Sequence, residues 1–105
     1  MALTVNSATF STGQPTAPFQ CVELDLDLDA SYPATAGGYA KPAELDGYAV
    51  VPGLQVVVSD GTTPLYAKVL ADGTIHLYVD DTMVEVANAA NLAAYTGIKV
   101  PVLVQ

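Results

Sequence analysis

Between Phe19 and Asp29 the chain alternates apolar and acidic residues. Val22, Leu24, Leu26 and Leu28 fall in one phase, and Glu23, Asp25, Asp27 and Asp29 fall in the other. Successive side chains of a strand point to opposite faces, so this pattern fits an extended strand and not a helix. It predicts one face packed on a core and one acidic face in water. Phe19 and Cys21 are out of phase with the leucines, which places a bulge or the strand start near Cys21.

The rest of the chain carries the punctuation of an all-β domain. Pro52-Gly53, Asp60-Gly61 and Asp72-Gly73 separate apolar runs at Tyr48 to Val51, Leu54 to Ser59, Leu65 to Leu70 and Thr74 to Val79. Asp-Gly tolerates the positive φ of tight turns, so Asp60-Gly61 and Asp72-Gly73 each predict a hairpin. Asp60-Gly61-Thr62 with Leu65-Tyr66 recurs twelve residues later as Asp72-Gly73-Thr74 with Leu77-Tyr78, a repeat of turn chemistry too short for a solenoid. Tyr66 and Tyr78 read as cross-strand partners. Met83 to Val86 reads as a short strand, and Ala87 to Tyr95 has the composition for one or two helical turns. Ile98 to Val104 closes the chain, and Pro101 within it predicts an edge strand. Lys41 to Gly47 reads as a connection with Leu45 as its core peg. The expected fold is a small antiparallel β-sandwich or jelly-roll-like barrel of about seven to nine short strands.

Residues 1–18 read as an N-terminal strand or arm plus linker, ahead of a single β domain over residues 19–105. Ser11 to Pro18 is polar and holds two prolines. Leu3, Val5 and Phe10 before it either bind a neighbour by strand addition or return to the domain's own sheet.

Charge and composition narrow the function. Eleven carboxylates stand against three lysines and no arginine, a formal charge of -8. Phosphate neutralisation needs clustered cations, so nucleic acid is not an expected partner. An anionic membrane surface would repel the chain, no stretch has the length of an apolar transmembrane span, and the start lacks the features of a signal peptide. Assembly in the cytoplasm is therefore expected. Only 13% of residues are charged while 51% are hydrophobic. A small domain of this kind keeps apolar surface it cannot bury, which predicts an oligomer or a partner-bound state.

Chemistry-bearing residues are sparse. His76, the one histidine, falls in the phase opposite Ile75 and Leu77 and reads as a solvent-facing strand residue. Cys21 reads as a small buried hydrophobe. Asp25, Asp27 and Asp29 share a face, but alternate strand residues lie ~6.6 Å apart, too far to converge on one calcium ion. They read as a solvated face, and Asp80-Asp81 as a turn. No catalytic group, metal site or cofactor is expected. Tyr32 and Tyr39 differ from the other tyrosines. They flank Pro33, Gly37 and Gly38 in a loop, where a large side chain is easily offered to a partner.

The order of these pieces resembles a known family. Glu23 to Asp29 runs into Ser31-Tyr32-Pro33 and then Gly37-Gly38-Tyr39. A pair of hairpins follows, then Val84-Glu85-Val86, Asn88-Ala89-Ala90-Asn91-Leu92 and a final apolar strand. Over roughly Cys21 to Gln105 this resembles the small head decoration (cement) proteins and related head structural proteins of tailed bacteriophages. Ala34-Thr35-Ala36, between Pro33 and the glycine pair, is a departure from their pattern. The resemblance implies a non-enzymatic virion protein on the outer capsid surface, often trimeric, whose partners are the major capsid protein and its own copies. Leu3, Val5, Phe10, Tyr32, Pro33, Gly37, Gly38 and Tyr39 are the expected partner-binding residues. The alternative is a head-fibre or tail module whose Ser31 to Tyr39 loop binds a host carbohydrate.

Overall fold

The computed structural model describes residues 3–10, 20–80 and 84–105. Among these, seven strands form two antiparallel sheets, and no helix is longer than a single 3-10 turn. The strands are β1 (Thr4–Phe10), β2 (Gln20–Asp27), β3 (Val50–Val51), β4 (Gln55–Ser59), β5 (Pro64–Val69), β6 (Ile75–Tyr78) and β7 (Ile98–Val104). One sheet has the order β1-β2-β7-β3 and the other β4-β5-β6. This is the sandwich alternative, with two separate sheets, and not a closed barrel.

The alternation in β2 acts as expected. Val22, Leu24 and Leu26 are fully buried and share one continuous core with Leu65, Ala67, Ile75 and Leu77 of the other sheet. β7 supplies the same face through Ile98, Val100, Val102 and Val104. The β2–β7 register runs from Gln20↔Val104 to Leu26↔Ile98 without a break. The bulge lies instead on β1, between Val5 and Ser7. Cys21 is exposed, contrary to the buried reading, because it falls in the outward phase of β2.

Pro101 lies in a strand with neighbours on both sides, which corrects the edge expectation. β3 pairs only Leu103 and Val104, so among the described residues only β2 is bonded opposite Pro101, and the missing N–H is tolerated. The other departures are local. Ala87 to Tyr95 forms turns without a helix. Its backbone is committed elsewhere: Ala89 N–H and Ala90 C=O bond to Tyr32, and Leu92 N–H bonds to Asp29 C=O. Glu85 makes one isolated bridge to Tyr78 in place of a strand. Met83 and Asp81 lie outside the described residues, as do residues 11–18 of the expected linker and Phe19. Both hairpin turns use the same bond, from Thr62 N–H to Asp60 Oδ1 (2.8 Å) and from Thr74 N–H to Asp72 Oδ1 (3.0 Å).

The acidic row is not a uniform solvated face. The bulge aims Asn6 at it, and Asn6 Nδ2 donates to Asp25 Oδ1 (3.2 Å) and Asp27 Oδ1 (2.9 Å). Lys99 pairs with Asp25, and Gly97 N–H donates to Asp27. The Lys99 ammonium, then Asn6, holds the Asp25 carboxyl below its ordinary range. Asp29, beyond the strand end, is buried. With Asp25 and Asp27 supplied from within the protein, thermal melts in excess calcium and in EDTA are expected to superimpose. A rise of several degrees with calcium would show a site that the carboxylates form together.

β1 lies along β2 for its full length, from Thr4↔Asp27 to Phe10↔Val22. The N-terminal segment thus returns to its own sheet, the second of the two readings. Deleting residues 2–10 uncovers the β2 edge and the core beneath Val5, Ala8 and Phe10. The truncated chain is expected to lose its cooperative melt in circular dichroism; a sharp transition near that of the full chain would restore the reading of a detachable arm.

Candidate functional site

The expected partner-binding residues separate into three places. Tyr32 and Tyr39 are inside, 0% and 2% exposed. This corrects the expectation that the loop offers them to a partner. Their rings meet edge to face with centroids 5.5 Å apart, and each hydroxyl reaches a carboxylate, which lets a tyrosine be buried at low cost.

The loop folds inward for local reasons. Pro33 precedes a 3-10 turn at Ala34–Ala36, which Gly37 ends in the left-handed region (φ 86°). Gly38 is also left-handed, and a Cβ there would sit 2.6 Å from the Ile75 carbonyl. Only glycine allows this approach. It lets Tyr39 exchange both backbone hydrogen bonds with Ile75 at 2.9 Å, so the loop caps the edge of β6. Pro33 is half-buried and Gly37 exposed, leaving Thr35, Ala36 and Gly37 as the exposed tip.

Tyr39 donates to Asp29 Oδ1 (2.9 Å), which also accepts from Ser31 N–H. Asp29 Oδ2 is buried with no hydrogen-bond partner among the described residues. Tyr32 donates to Glu85 Oε2 (2.6 Å) and accepts from Leu77 N–H (3.0 Å). Burial, then the bonded carboxylate, raises both phenols well above their ordinary value.

Glu85 Oε2 also lies 3.0 Å from His76 Nδ1, and His76 Nε2 lies 3.1 Å from Thr74 Oγ1. His76 is thus half-buried and stacked on Tyr78 rather than solvent-facing. Hydroxyl, imidazole and carboxylate follow the order of a nucleophilic triad. Thr74 Oγ1 also donates to Asp72 Oδ1 at 2.6 Å, so a carboxylate competes with His76 for the hydroxyl proton that a base would have to take. The Thr74 bonds hold Asp72 below its ordinary range. As built, the network cross-links β6, the Tyr32 loop and the Glu85 segment.

Leu3, Val5 and Tyr39 come together in a second place. With Ala40, Lys41, Pro42, Ala43 and Glu44 they line an open cleft of about 300 Å³ between the start of β1 and the chain beyond Tyr39. Lys41 Nζ donates to Tyr48 C=O there. Phe10 is in a third place, at the far end of β1, against the Tyr48 ring at 5.1 Å. Sequence reasoning missed Asp29 and Glu85 as tyrosine partners. Glu85 is 53 residues from Tyr32, and no local pattern connects them.

Among the described residues no group of three or more His, Cys, Asp or Glu side chains is arranged to hold a metal ion. Comparison with protein-family models, with curated proteins and with solved structures finds no match for the chain.

Tyr32→Phe removes the partner of the buried Leu77 N–H and is expected to cost about 1–3 kcal/mol in denaturant unfolding. The raised phenols also set a pH window. Their contribution is complete below the ordinary tyrosine value of 10.0 and is lost as pH rises from there through the folded value. Melting temperature is therefore expected to fall above pH 10, and less steeply in Tyr32→Phe. Equal slopes for the two proteins would remove Tyr32 from this linkage.

Proposed function

We propose that this protein is a non-enzymatic virion component that binds the outer surface of a tailed-phage capsid as a homo-oligomer and stabilises the shell. The observation that carries the reading is the cleft beside Leu3 and Val5. It gathers two residues expected from the sequence to meet a partner, has an apolar wall, and carries Lys41 and Glu44 in its lining. A cleft of this size takes one or two apolar side chains of a capsid subunit. Each such contact is modest. An oligomer that engages several sites at once gains avidity through effective concentration, which ties neighbouring capsid subunits together. The acidic, arginine-free surface suits the outside of a shell better than the side facing packaged DNA. The order of the loop and hairpins, which resembles head decoration proteins, supports the same assignment. The inward-facing Tyr32 and Tyr39 leave the Ser31 to Tyr39 loop without the stacking faces that the glycan-binding alternative requires.

Co-sedimentation tests this directly. Mature shells of a tailed-phage major capsid protein from the same genome are expected to carry the protein down. Ala43→Asp, an exposed residue of the cleft lining, is expected to lower the affinity about tenfold, or ~1.4 kcal/mol, with an unchanged melt. Absence of the wild-type protein from the shell pellet at micromolar concentration would overturn the assignment.

A further inference from the structure

The two sheets turn unlike faces outward. Opposite its core phase, β2 carries Glu23, Asp25 and Asp27. The outward positions of β4, β5 and β6 hold no carboxylate at all, in a chain with eleven. They set Val57, Tyr66 and Tyr78 in one cross-strand row and Gln55, Lys68 and His76 in the next. The polar groups of this face are also unspent. The Tyr32, Tyr39 and Tyr95 phenols each donate inside the protein, whereas the Tyr66 and Tyr78 hydroxyls have no hydrogen-bond partner among the described residues. Lys41 donates to Tyr48 C=O and Lys99 pairs with Asp25. Lys68 is the one lysine of the three with no partner among the described residues. His76 differs, since Glu85 and Thr74 engage both of its nitrogens. Its ring stands 6.4 Å from that of Tyr78, within 16° of parallel, as a fixed wall beside it.

We propose that the outer face of β4-β5-β6 binds a hexuronic acid residue of an acidic polysaccharide, with the sugar ring on Tyr66 and its carboxylate on Lys68 Nζ. A pyranose has a flat C–H face that packs on an aromatic ring and a rim of hydroxyls for the free phenols and Gln55. In a hexuronic acid the carboxylate is equatorial, so it leaves the edge of a ring that lies flat. Lys68 is two residues beyond Tyr66 on the same face, about 6.6 Å along β5, where such a carboxylate arrives. Lys68 and Tyr66 both belong to the central strand. The carboxylates around the face are already engaged: Asp60 by Thr62 and Thr63 N–H, Asp72 by Thr74, and Glu85 by Tyr32 and His76. Size argues against a protein as the occupant. The face runs about 13 Å along β6 and ~10 Å across three strands, against the ~800 Å² that each side of a stable protein complex buries. Charge argues against a nucleic acid. A chain of -8 with one unpartnered lysine on this face cannot neutralise a run of phosphates. Stacking therefore carries the contact, and Lys68 selects the acidic sugar over a neutral one.

This site shares no residue with the cleft beside Leu3 and Val5, and its test needs no capsid. Trigalacturonate titrated at millimolar concentration into the isotope-labelled full chain is expected to shift the amide signals of β5 and β6 in nuclear magnetic resonance. Its methyl ester has the same rings without the charge and is expected to bind about tenfold more weakly, the loss of one charged hydrogen bond. This comparison uses the wild-type protein and depends on no variant's folding. Lys68→Gln is expected to bring acid and ester to the same affinity. Tyr66→Leu is expected to weaken both about tenfold, with unchanged circular dichroism and unchanged co-sedimentation with shells. No shift with trigalacturonate, equal wild-type affinity for acid and ester, shifts confined to the other sheet, or an acid preference that survives in Lys68→Gln would each overturn the proposal. Equal shifts with an oligoglutamate peptide would assign the face to an acidic protein and overturn it as well. Each of these results leaves the capsid assignment intact.

Discussion

The Tyr32 hydroxyl is the point on which the loop and the second sheet depend together. It accepts from the buried Leu77 N–H in β6 and donates to Glu85. Without it, a strand amide inside the core would have no partner, at a cost of about 1–3 kcal/mol. Because the ring is fully buried, the loop that carries it must lie against the sandwich. The glycines follow from that requirement. Gly38 alone can approach the Ile75 carbonyl closely enough for Tyr39 to pair with β6. The segment after Glu85 is then drawn to the backbone of Tyr32 and Asp29, and that demand overrides the helical tendency of its alanines.

A second network acts at the other sheet. A chain with so many carboxylates could not leave Asp25 and Asp27 side by side in β2 without relief. The bulge in β1 turns Asn6 toward both, and β7 brings Lys99 and Gly97 to them. The irregularity in β1 therefore does two things. It supplies a donor to the acidic row, and it disrupts an edge that would otherwise be open to pairing.

Much of the fold was legible because it rests on local rules. The leucine phase of β2, the Asp-Gly hairpins, the Tyr66↔Tyr78 pair and Leu45 as a core peg all follow from side-chain period and turn chemistry, which act over a few residues. The candidate site was less legible. Leu3, Val5 and Tyr39 line one cleft, but Tyr32 and Tyr39 were both expected outside and lie inside. A tyrosine in a Pro/Gly loop reads as exposed unless its hydroxyl has a buried partner, and that partner is 53 residues away. His76 was misread for the same reason, since its partner Glu85 comes from a separate segment.

The residue pattern by itself determined an all-β chain, the inward face of each long strand and the position of both hairpin turns. It did so because the period of two and the positive-φ tolerance of Asp-Gly are properties of the backbone. Only the tertiary structure decided that the tyrosines turn inward, that the N-terminal strand pairs at home, and that Pro101 is accepted in a strand between two neighbours. Each of these depends on which distant group arrives to satisfy a hydrogen bond or leave a gap. A buried polar atom must be matched in three dimensions, and local pattern holds no record of which segment will supply the match.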